Sequence, residues 1–326
     1  DIPGDTNFTA FFEFPFSRPE WVEKLDAARL MTNCYGGWYD AADFDKRPYH
    51  LQGALSLVST YKLNAGAMTD GVCNMDESGN GVPDILDEIA WLLRIYRTSQ
   101  RPDGGVSVRF EAKSHPQDHW PHEDRNIYFA NYPDRYGSLM YAAAAGVFSW
   151  AVRPFNAALA DDYLLSGSNA YAFSQNPANR VRNLTYWVPT QEYTPSIDAI
   201  FRAHPTMKEY RTSPDSPYVY VDFARSSKYS AGRIVYRLAE YRYDEPANFF
   251  PVTPHYMRSP WQWRAPFCLY LASGNPAYAA AVNAMYPTLR HPREDTSALA
   301  CYLMSLTAPP AISSSIRNEC RQNVIS

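Results

Sequence analysis

Two aspartates in the glycine-led segment GGWYDAADFD are the residues of this sequence best suited to chemistry. Asp40 and Asp43 stand three residues apart, which in a turn or a first helical turn places both carboxylates on one side of the backbone. Neighbouring carboxylates push their ionisation apart, so that one of them can hold and deprotonate a water molecule. The same pair could instead cap the helix that follows near Tyr49. The segment therefore predicts either a water-activating pair or a helix cap.

Helices must position this pair, because apolar residues recur at three- and four-residue spacing through most of the chain. The clearest stripe covers 82–100, where Pro83 suits a first turn and Asp84 favours the positive end of the helix dipole. Helices are also predicted over 19–31, 49–63, 135–152, 157–175, 228–243, 261–273, 277–286 and 294–307, a short strand pattern covers 105–110, and long loops are expected over 176–227 and 244–260. Antiparallel helices of similar length predict an all-α array of helical hairpins.

Composition narrows the class of partner. The chain has 326 residues, of which 46% are hydrophobic, so it can bury a core, and its net charge of -4 disfavours nucleic-acid binding. No apolar run is long enough to predict a membrane span. Aromatic residues reach 15%, with 25 tyrosines, and their flat faces with polar edges suit either a sugar surface or a tyrosine-rich core.

Cysteine usage and the first residue bear on the compartment. The five cysteines, Cys34, Cys73, Cys268, Cys301 and Cys320, form no C-x-x-C pair, which disfavours a zinc ribbon and leaves one or two disulfides open. The chain begins at Asp1 without a methionine, which is typical of a processed mature protein or of a piece of a longer one. We expect a secreted or periplasmic protein.

Two further motifs follow the aspartate pair in order. They are DESGNGVPDILDE over 76–88 and RPDGGV over 101–106. Together with GGWYDAADFDK they resemble glycoside hydrolase family 9, a cellulase-like family. The similarity extends through HWPHEDR at 119–125 and RPFNAALA at 153–160, and it is strongest over 36–176.

The resemblance implies an (α/α)6 barrel that hydrolyses a β-1,4-linked glucan or related β-glycan with inversion, by endo or exo action and without a required cofactor. It assigns Asp43 as the general base and Asp40 as the partner that helps to hold the water. Trp38 either lines the cleft or anchors the loop. His119 and Trp120 either contact the sugar or lie in a solvated loop. The catalytic domain would cover 36–326, and the role of 1–35 is undetermined.

The sequence departs from the family pattern at the general acid. The glutamate motif expected late in the domain is not recognised, and the two candidates are Glu245, in YDEPA, and Glu294. Ala42 also replaces the usual glycine. The chain therefore corresponds to a barrel lacking its C-terminal part or to a compact, altered one. It is a hydrolase provided the acid comes from outside this segment or from an unrecognised glutamate. The alternatives are a non-catalytic carbohydrate-binding relative and a polysaccharide lyase with a tyrosine or histidine base.

A metal site stays open at the start of the second motif. The oxygen-bearing residues Asn74, Asp76, Ser78, Asn80 and Asp84 alternate along the chain, but the terminal glutamate of an EF-hand is missing. The pattern predicts either a structural calcium or a polar turn before the helix.

Overall fold

The computed structural model describes residues 36–40, 44–112, 128–130, 133, 135–189, 208–210, 218–223, 232–244, 260–289 and 295–325. Eight α-helices lie within these ranges. They are α1 (Gln52–Leu63), α2 (Asp84–Thr98), α3 (Arg135–Val152), α4 (Ala157–Gln175), α5 (Trp261–Ser273), α6 (Pro276–Leu289), α7 (Asp295–Thr307) and α8 (Ser314–Ile325). A short 3-10 turn, Pro48–Leu51, leads into α1.

Helix α3 forms the centre of the core. Nearly all of its 18 residues are buried, because alanine and glycine let neighbouring helices approach on several sides. Gly146 marks the closest approach: a Cβ built there would lie 2.9 Å from the backbone carbon of Cys268 on α5. The small residues of α3 thus set how tightly α4 and α5 pack around it.

Polar contacts fix α4 between α2 and α3. The guanidinium of Arg97 on α2 donates from Nε and one terminal nitrogen to the carboxylate of Asp162, at 3.0 and 2.7 Å. From α3, the Ser149 hydroxyl donates to the Ala160 carbonyl at 2.7 Å, in a buried setting. These bonds give hydrogen-bond partners to polar groups that helix packing would otherwise leave unpaired. They therefore fix the register of the helices.

An antiparallel sheet is inserted in sequence between α4 and α5. Its strands are β3 (Val181–Pro189), β4 (Lys208–Tyr210), β5 (Tyr218–Phe223) and β6 (Gly232–Asp244), in the spatial order β3-β6-β5-β4. Leu184 pairs with Tyr241, and Tyr220 pairs with Val235. Two shorter strands, β1 (Phe110–Ala112) and β2 (Tyr128–Ala130), pair separately.

The sheet corrects the sequence analysis. The helix predicted over 228–243 is wrong, since 232–244 is strand β6, and the predicted loop over 176–227 contains β3, β4 and β5. The apolar spacing near Ile234 and Leu238 fits a helix as well as a strand, and pairing with β3 and β5 decides between them. Only Phe110 of the predicted strand over 105–110 lies in a strand, although Val106 and Val108 are buried. Helix α8 was not predicted.

The other helix predictions agree with the structure to within a few residues, except the one over 19–31, which lies outside the described residues. No helix in the described ranges has both the length and the apolar character needed to cross a bilayer.

We predict that Gly104→Ala destabilises the protein more than Gly274→Ala. Both glycines have left-handed φ angles, 92° and 66°, but a Cβ at Gly104 would lie 2.4 Å from the Asn169 carbonyl oxygen of α4, whereas Gly274 has open space around it. Left-handed backbone alone costs about 1 kcal/mol, and the clash should raise the loss at Gly104 to about 3 kcal/mol or more. Denaturant unfolding of both variants measures the difference, and equal losses would contradict the tight contact.

Candidate active site

The glycine-led loop lies directly on α2. Gly36 and Gly37 have φ angles of 96° and 77°, in the region that favours glycine, and the Gly37 N–H donates to the Trp91 carbonyl at 2.8 Å. A Cβ on Gly36 would lie 2.7 Å from the same carbonyl oxygen. No side chain fits between the loop and the helix. The surface of α2 therefore fixes the position of the loop backbone, and with it the residues that follow Gly37.

Trp38 ties the loop to two helices. Its indole N–H donates to Glu88 of α2 at 2.5 Å, and its ring lies over Gly53 of α1, where a Cβ would be 2.3 Å from a ring carbon. The side chain is half-buried and packs against the core. These contacts hold the loop against both helices, and a role of Trp38 in lining the cleft stays a prediction.

Asp40 is the predicted catalytic residue that lies within the described ranges. Its N–H donates to the Asp45 carbonyl at 2.8 Å, in an isolated antiparallel bridge. Its carboxylate accepts from Arg47 Nε at 3.0 Å and from the Tyr49 hydroxyl. Arg47 also donates to the Asp45 carboxylate at 2.8 Å. The carboxylate of Asp40 is thus fixed through both oxygens, by partners that the sequence analysis missed.

A signal for Arg47 and Tyr49 was present in the sequence. Both follow the aspartates within ten residues, and a cation and a hydroxyl at that distance can fold back onto a carboxylate. Helical periodicity carries no information on such a contact, because the bridge between Asp40 and Asp45 that brings it about is not a helical feature.

The surroundings of Asp40 favour its ionised form. Burial alone would raise the pKa of this carboxyl, but the hydrogen bonds from Tyr49 and Arg47, and the positive charge of Arg47, outweigh burial and keep the pKa below its usual value. A carboxylate with a lowered pKa is a poor proton acceptor and a good hydrogen-bond acceptor. Asp40 is therefore suited to orienting a donor molecule such as water.

Hydrogen bonds join the aspartate loop to α2 and to the segment that follows the DGGV turn. The Tyr96 hydroxyl of α2 donates to the Arg47 carbonyl at 3.1 Å. Lys46 exchanges backbone hydrogen bonds of 2.8 and 3.0 Å with Phe110, which follows the DGGV turn. The Lys46 ammonium lies 3.5 Å from the centre of the Tyr39 ring, a cation–π contact. The aspartate loop, α2 and the segment after the turn thus form one unit.

The turn before α2 is closed by carboxylates that accept from backbone N–H groups. Asp84 accepts from Gly71 and Cys73 at 2.8 and 2.5 Å. Asp70 accepts from Gly79 and Gly81 at 2.6 and 2.7 Å. Burial would raise the pKa of Asp84, but these N–H donors lower it overall. Each carboxylate therefore stabilises the turn through hydrogen bonds.

The side chain of Asp87 is the exception in this turn. One of its oxygens accepts from the Asn80 amide at 3.1 Å, while the other is buried with no hydrogen-bond partner. Burial, together with the negative charges of Glu77, Asp84 and Asp70, raises the pKa of Asp87. Within the described part of the chain, no three histidine, cysteine, aspartate or glutamate side chains are grouped so as to hold a metal ion. The calcium expectation stays a prediction.

Five of the residues that the sequence offered as catalytic or sugar-binding candidates lie outside the described residues. They are Asp43, His119, Trp120, Glu245 and Glu294. Their roles stay predictions.

We predict that Tyr49→Phe raises the pKa of Asp40, because one of the donors to its ionised form is removed. In the folded wild type the lowered pKa stabilises the protein at pH values above the ordinary aspartate pKa of about 3.9, and this stabilisation is lost as the pH falls through the folded-state pKa. The variant should therefore be less stable by about 0.5–1 kcal/mol at pH 7 and closer to wild type at pH 3. Carbon NMR of the side-chain carboxyl and urea unfolding at both pH values measure these effects. An unchanged pKa would rule out the tyrosine contact.

We predict that Asp87→Asn stabilises the calcium-free protein at neutral pH. Because the folded-state pKa of Asp87 is raised, wild-type stability falls as the pH rises through the window from the ordinary aspartate value to the raised one, and the neutral variant lacks that fall. Thermal melting in a chelator, from pH 4 to 8, tests this. A melting temperature of the wild type that rises with added calcium, without a matching rise in the variant, would instead place a cation at Asp87.

The chain is similar to curated cellulases over part of its length. No family model matches it. It is 30% identical to Endoglucanase C of Cellulomonas fimi over 154 residues, which is 43% of this chain and 14% of that protein. It is 25% identical to Endoglucanase D of Acetivibrio thermocellus over 242 residues, which is 70% of this chain and 36% of that protein. The chain thus spans well under half the length of these two relatives.

Solved structures show the fold. A metagenome-derived glycoside hydrolase family 9 endoglucanase matches with a TM-score of 0.59 and 19% identity, covering 98% of this chain and 53% of that one. A family 9 protein of Bacteroides ovatus matches with a TM-score of 0.58 and 17% identity, covering 99% and 52%. The resemblance to family 9 and the predicted (α/α)6 barrel fold are confirmed, and the chain spans about half the length of these structures. The sheet between α4 and α5 is an addition to the all-α class that we expected.

Proposed function

We propose that the chain hydrolyses a β-1,4-linked glucan or related β-glycan with inversion, with Asp43 as the general base and Asp40 as the residue that orients the water. The observation that carries this proposal is the Asp40 carboxylate, fixed and ionised by Arg47 and Tyr49. Asp43 stands three residues further along the chain from Asp40.

The relatives support the same chemistry. The names of the curated proteins are endoglucanase, cellulose 1,4-beta-cellobiosidase and xyloglucan-specific endo-beta-1,4-glucanase, the last from Bacteroides ovatus at 39% identity over 72 residues. Those names include cleavage inside a chain and release from its end, so the proposal covers both modes of action.

The proposed step assigns different work to the two aspartates. Water attacks the anomeric carbon while Asp43 accepts one of its protons and Asp40 accepts a hydrogen bond from the other. The bond from that carbon to the glycosidic oxygen breaks, and a carboxylic acid gives its proton to the departing oxygen. Because Asp40 already accepts from Arg47 and Tyr49, its basicity is low and proton removal falls to Asp43.

The two sequence candidates for the general acid, Glu245 and Glu294, lie outside the described residues, so the test must separate the base from the acid. Dinitrophenyl β-cellobioside has a leaving group that departs without protonation, so its hydrolysis requires only the base. Cellulose oligomers require both groups.

We predict that Asp43→Asn lowers hydrolysis of dinitrophenyl β-cellobioside by at least about 100-fold, because a general base contributes roughly that much or more. Asp161→Asn is the matched control, since Asp161 on α4 is exposed and pairs with Arg153, away from the loop. Dinitrophenol release gives the rates, circular dichroism checks the fold, and proton NMR of fresh product should show the inverted anomer.

The outcomes separate the parts of the proposal. Equal rates in wild type and Asp43→Asn would contradict the base assignment. Activity on the activated substrate without activity on cellulose oligomers would show that this segment carries the base alone. Binding of oligomers with no turnover of either substrate would overturn the proposed hydrolysis.

A further inference from the structure

Two cysteines meet inside the last helical pair. Cys301 lies on α7 and Cys320 on α8, and their sulfur atoms are 2.7 Å apart. Both side chains are buried, with relative exposures of 2% and 0%. A disulfide bond is about 2.05 Å long, so the two sulfurs lie within about 0.7 Å of bonding distance. Such proximity requires side chains that point at each other across the helix–helix contact.

The surroundings of this pair fit a cross-link better than a metal site. A polar neighbour is Tyr286 of α6, whose hydroxyl lies 3.5 Å from the Cys320 sulfur. The Tyr286 ring packs edge-on against Trp263, with centroids 5.0 Å apart. In the described ranges, no third ligand completes a metal-binding group with these cysteines. In the described ranges the two sulfurs are therefore each other's contact, and a bond between them is the chemistry that this geometry offers.

We infer that Cys301 and Cys320 form a disulfide bond that joins α7 to α8 when the protein folds in an oxidising compartment. The inference is independent of the proposed glycan hydrolysis, because the pair lies in the core and shares no contact with the aspartate loop in the described structure.

The cross-link forms by exchange with an external disulfide, such as oxidised glutathione or a dithiol oxidase protein. One cysteine thiolate attacks a sulfur of the external disulfide, forming a mixed disulfide and releasing one external thiolate. The second cysteine thiolate then attacks the protein-bound sulfur and releases the other external thiolate. The two cysteines are oxidised, the external disulfide is reduced, and the two cysteine protons pass to the released thiolates.

In the folded protein the Cys301 and Cys320 sulfurs lie against each other and away from solvent. Since both sulfurs are buried in the folded protein, exchange takes place during folding or local opening. Once formed, the bond is shielded from reductants until the helices separate.

The bond should stabilise the protein by restricting the unfolded chain. The bond closes a loop between positions 19 residues apart and so lowers the conformational entropy of the unfolded chain. The folded chain is already ordered there and loses little, so the free energy of unfolding rises. For a chain of this size we expect the melting temperature to rise by about 5 °C.

Cys268 offers an internal comparison. Cys268, Cys301 and Cys320 are all free thiols in the structure, and Cys268 is likewise fully buried, on α5. Unlike the other two, it has no hydrogen-bond contact with another cysteine sulfur among the described residues, and burial raises its pKa to about 12. Cys268 should stay reduced under the conditions that link Cys301 to Cys320.

We predict that peptide mapping of the full chain, refolded with oxidised glutathione, yields one peptide pair linked through Cys301 and Cys320. The protein is denatured in an alkylating agent without reductant, digested and analysed by mass spectrometry. Cys268 should carry the alkyl label, and after reduction Cys301 and Cys320 should carry it as well. Recovery of Cys301 and Cys320 as labelled free thiols in the unreduced sample would overturn the inference.

Melting temperatures test the energetic consequence. Reduction should lower the melting temperature of the wild type by about 5 °C and leave that of Cys301→Ala/Cys320→Ala unchanged. Cys268→Ala is the matched control, because it empties an equally buried site and should still respond to reduction. Loss of the response in this control, or its persistence in the double variant, would contradict the link; if the double variant does not fold, the wild-type peptide map decides.

Discussion

The contact that the candidate site depends on is the hydrogen bond from the Gly37 N–H to the Trp91 carbonyl. It exists only because neither Gly36 nor Gly37 has a side chain, and it brings the loop backbone against the surface of α2. Trp38 then bonds to Glu88 on the same helix, and Asp40 follows two residues later. A displaced glycine pair would therefore move the carboxylate, although no catalytic group had been changed.

Aspartates do three different jobs in this chain, and their surroundings decide which. Asp40 faces a cation and a phenol, which keep it ionised and oriented. Asp84 faces backbone N–H groups and closes a turn. Asp87 is buried beside neighbouring acids, and both the burial and their negative charge raise its pKa. Residue type and sequence spacing do not distinguish these three aspartates. Their neighbouring charges, burial and hydrogen-bond donors in the folded protein do.

The sequence predicted those parts of the structure that local patterns determine. The predicted bounds of α3, α4 and α5 match the structure, because a helix is formed by local hydrogen bonds and needs no distant partner. Strand β6 was mistaken for a helix because its identity depends on pairing with β3, whose paired residues lie about 50 positions earlier. The pairing of Arg47 with Asp40 and the approach of Cys301 to Cys320 likewise depend on folded geometry. The sequence identified the aspartate pair because two carboxylates stand three residues apart and two further motifs follow them in a fixed order along the chain.

Helix α2 connects stability to chemistry. One of its faces, including Ile89 and Leu92, is fully buried in the core, and its exposed edge carries the groups that receive the loop. Tyr96 joins the two functions, since its ring is buried while its hydroxyl donates to the Arg47 carbonyl. Burial raises the pKa of Tyr96 well above any working pH, so that hydroxyl stays a donor. The packing that stabilises the core thereby also fixes the arginine that orients Asp40, and the two cannot vary independently.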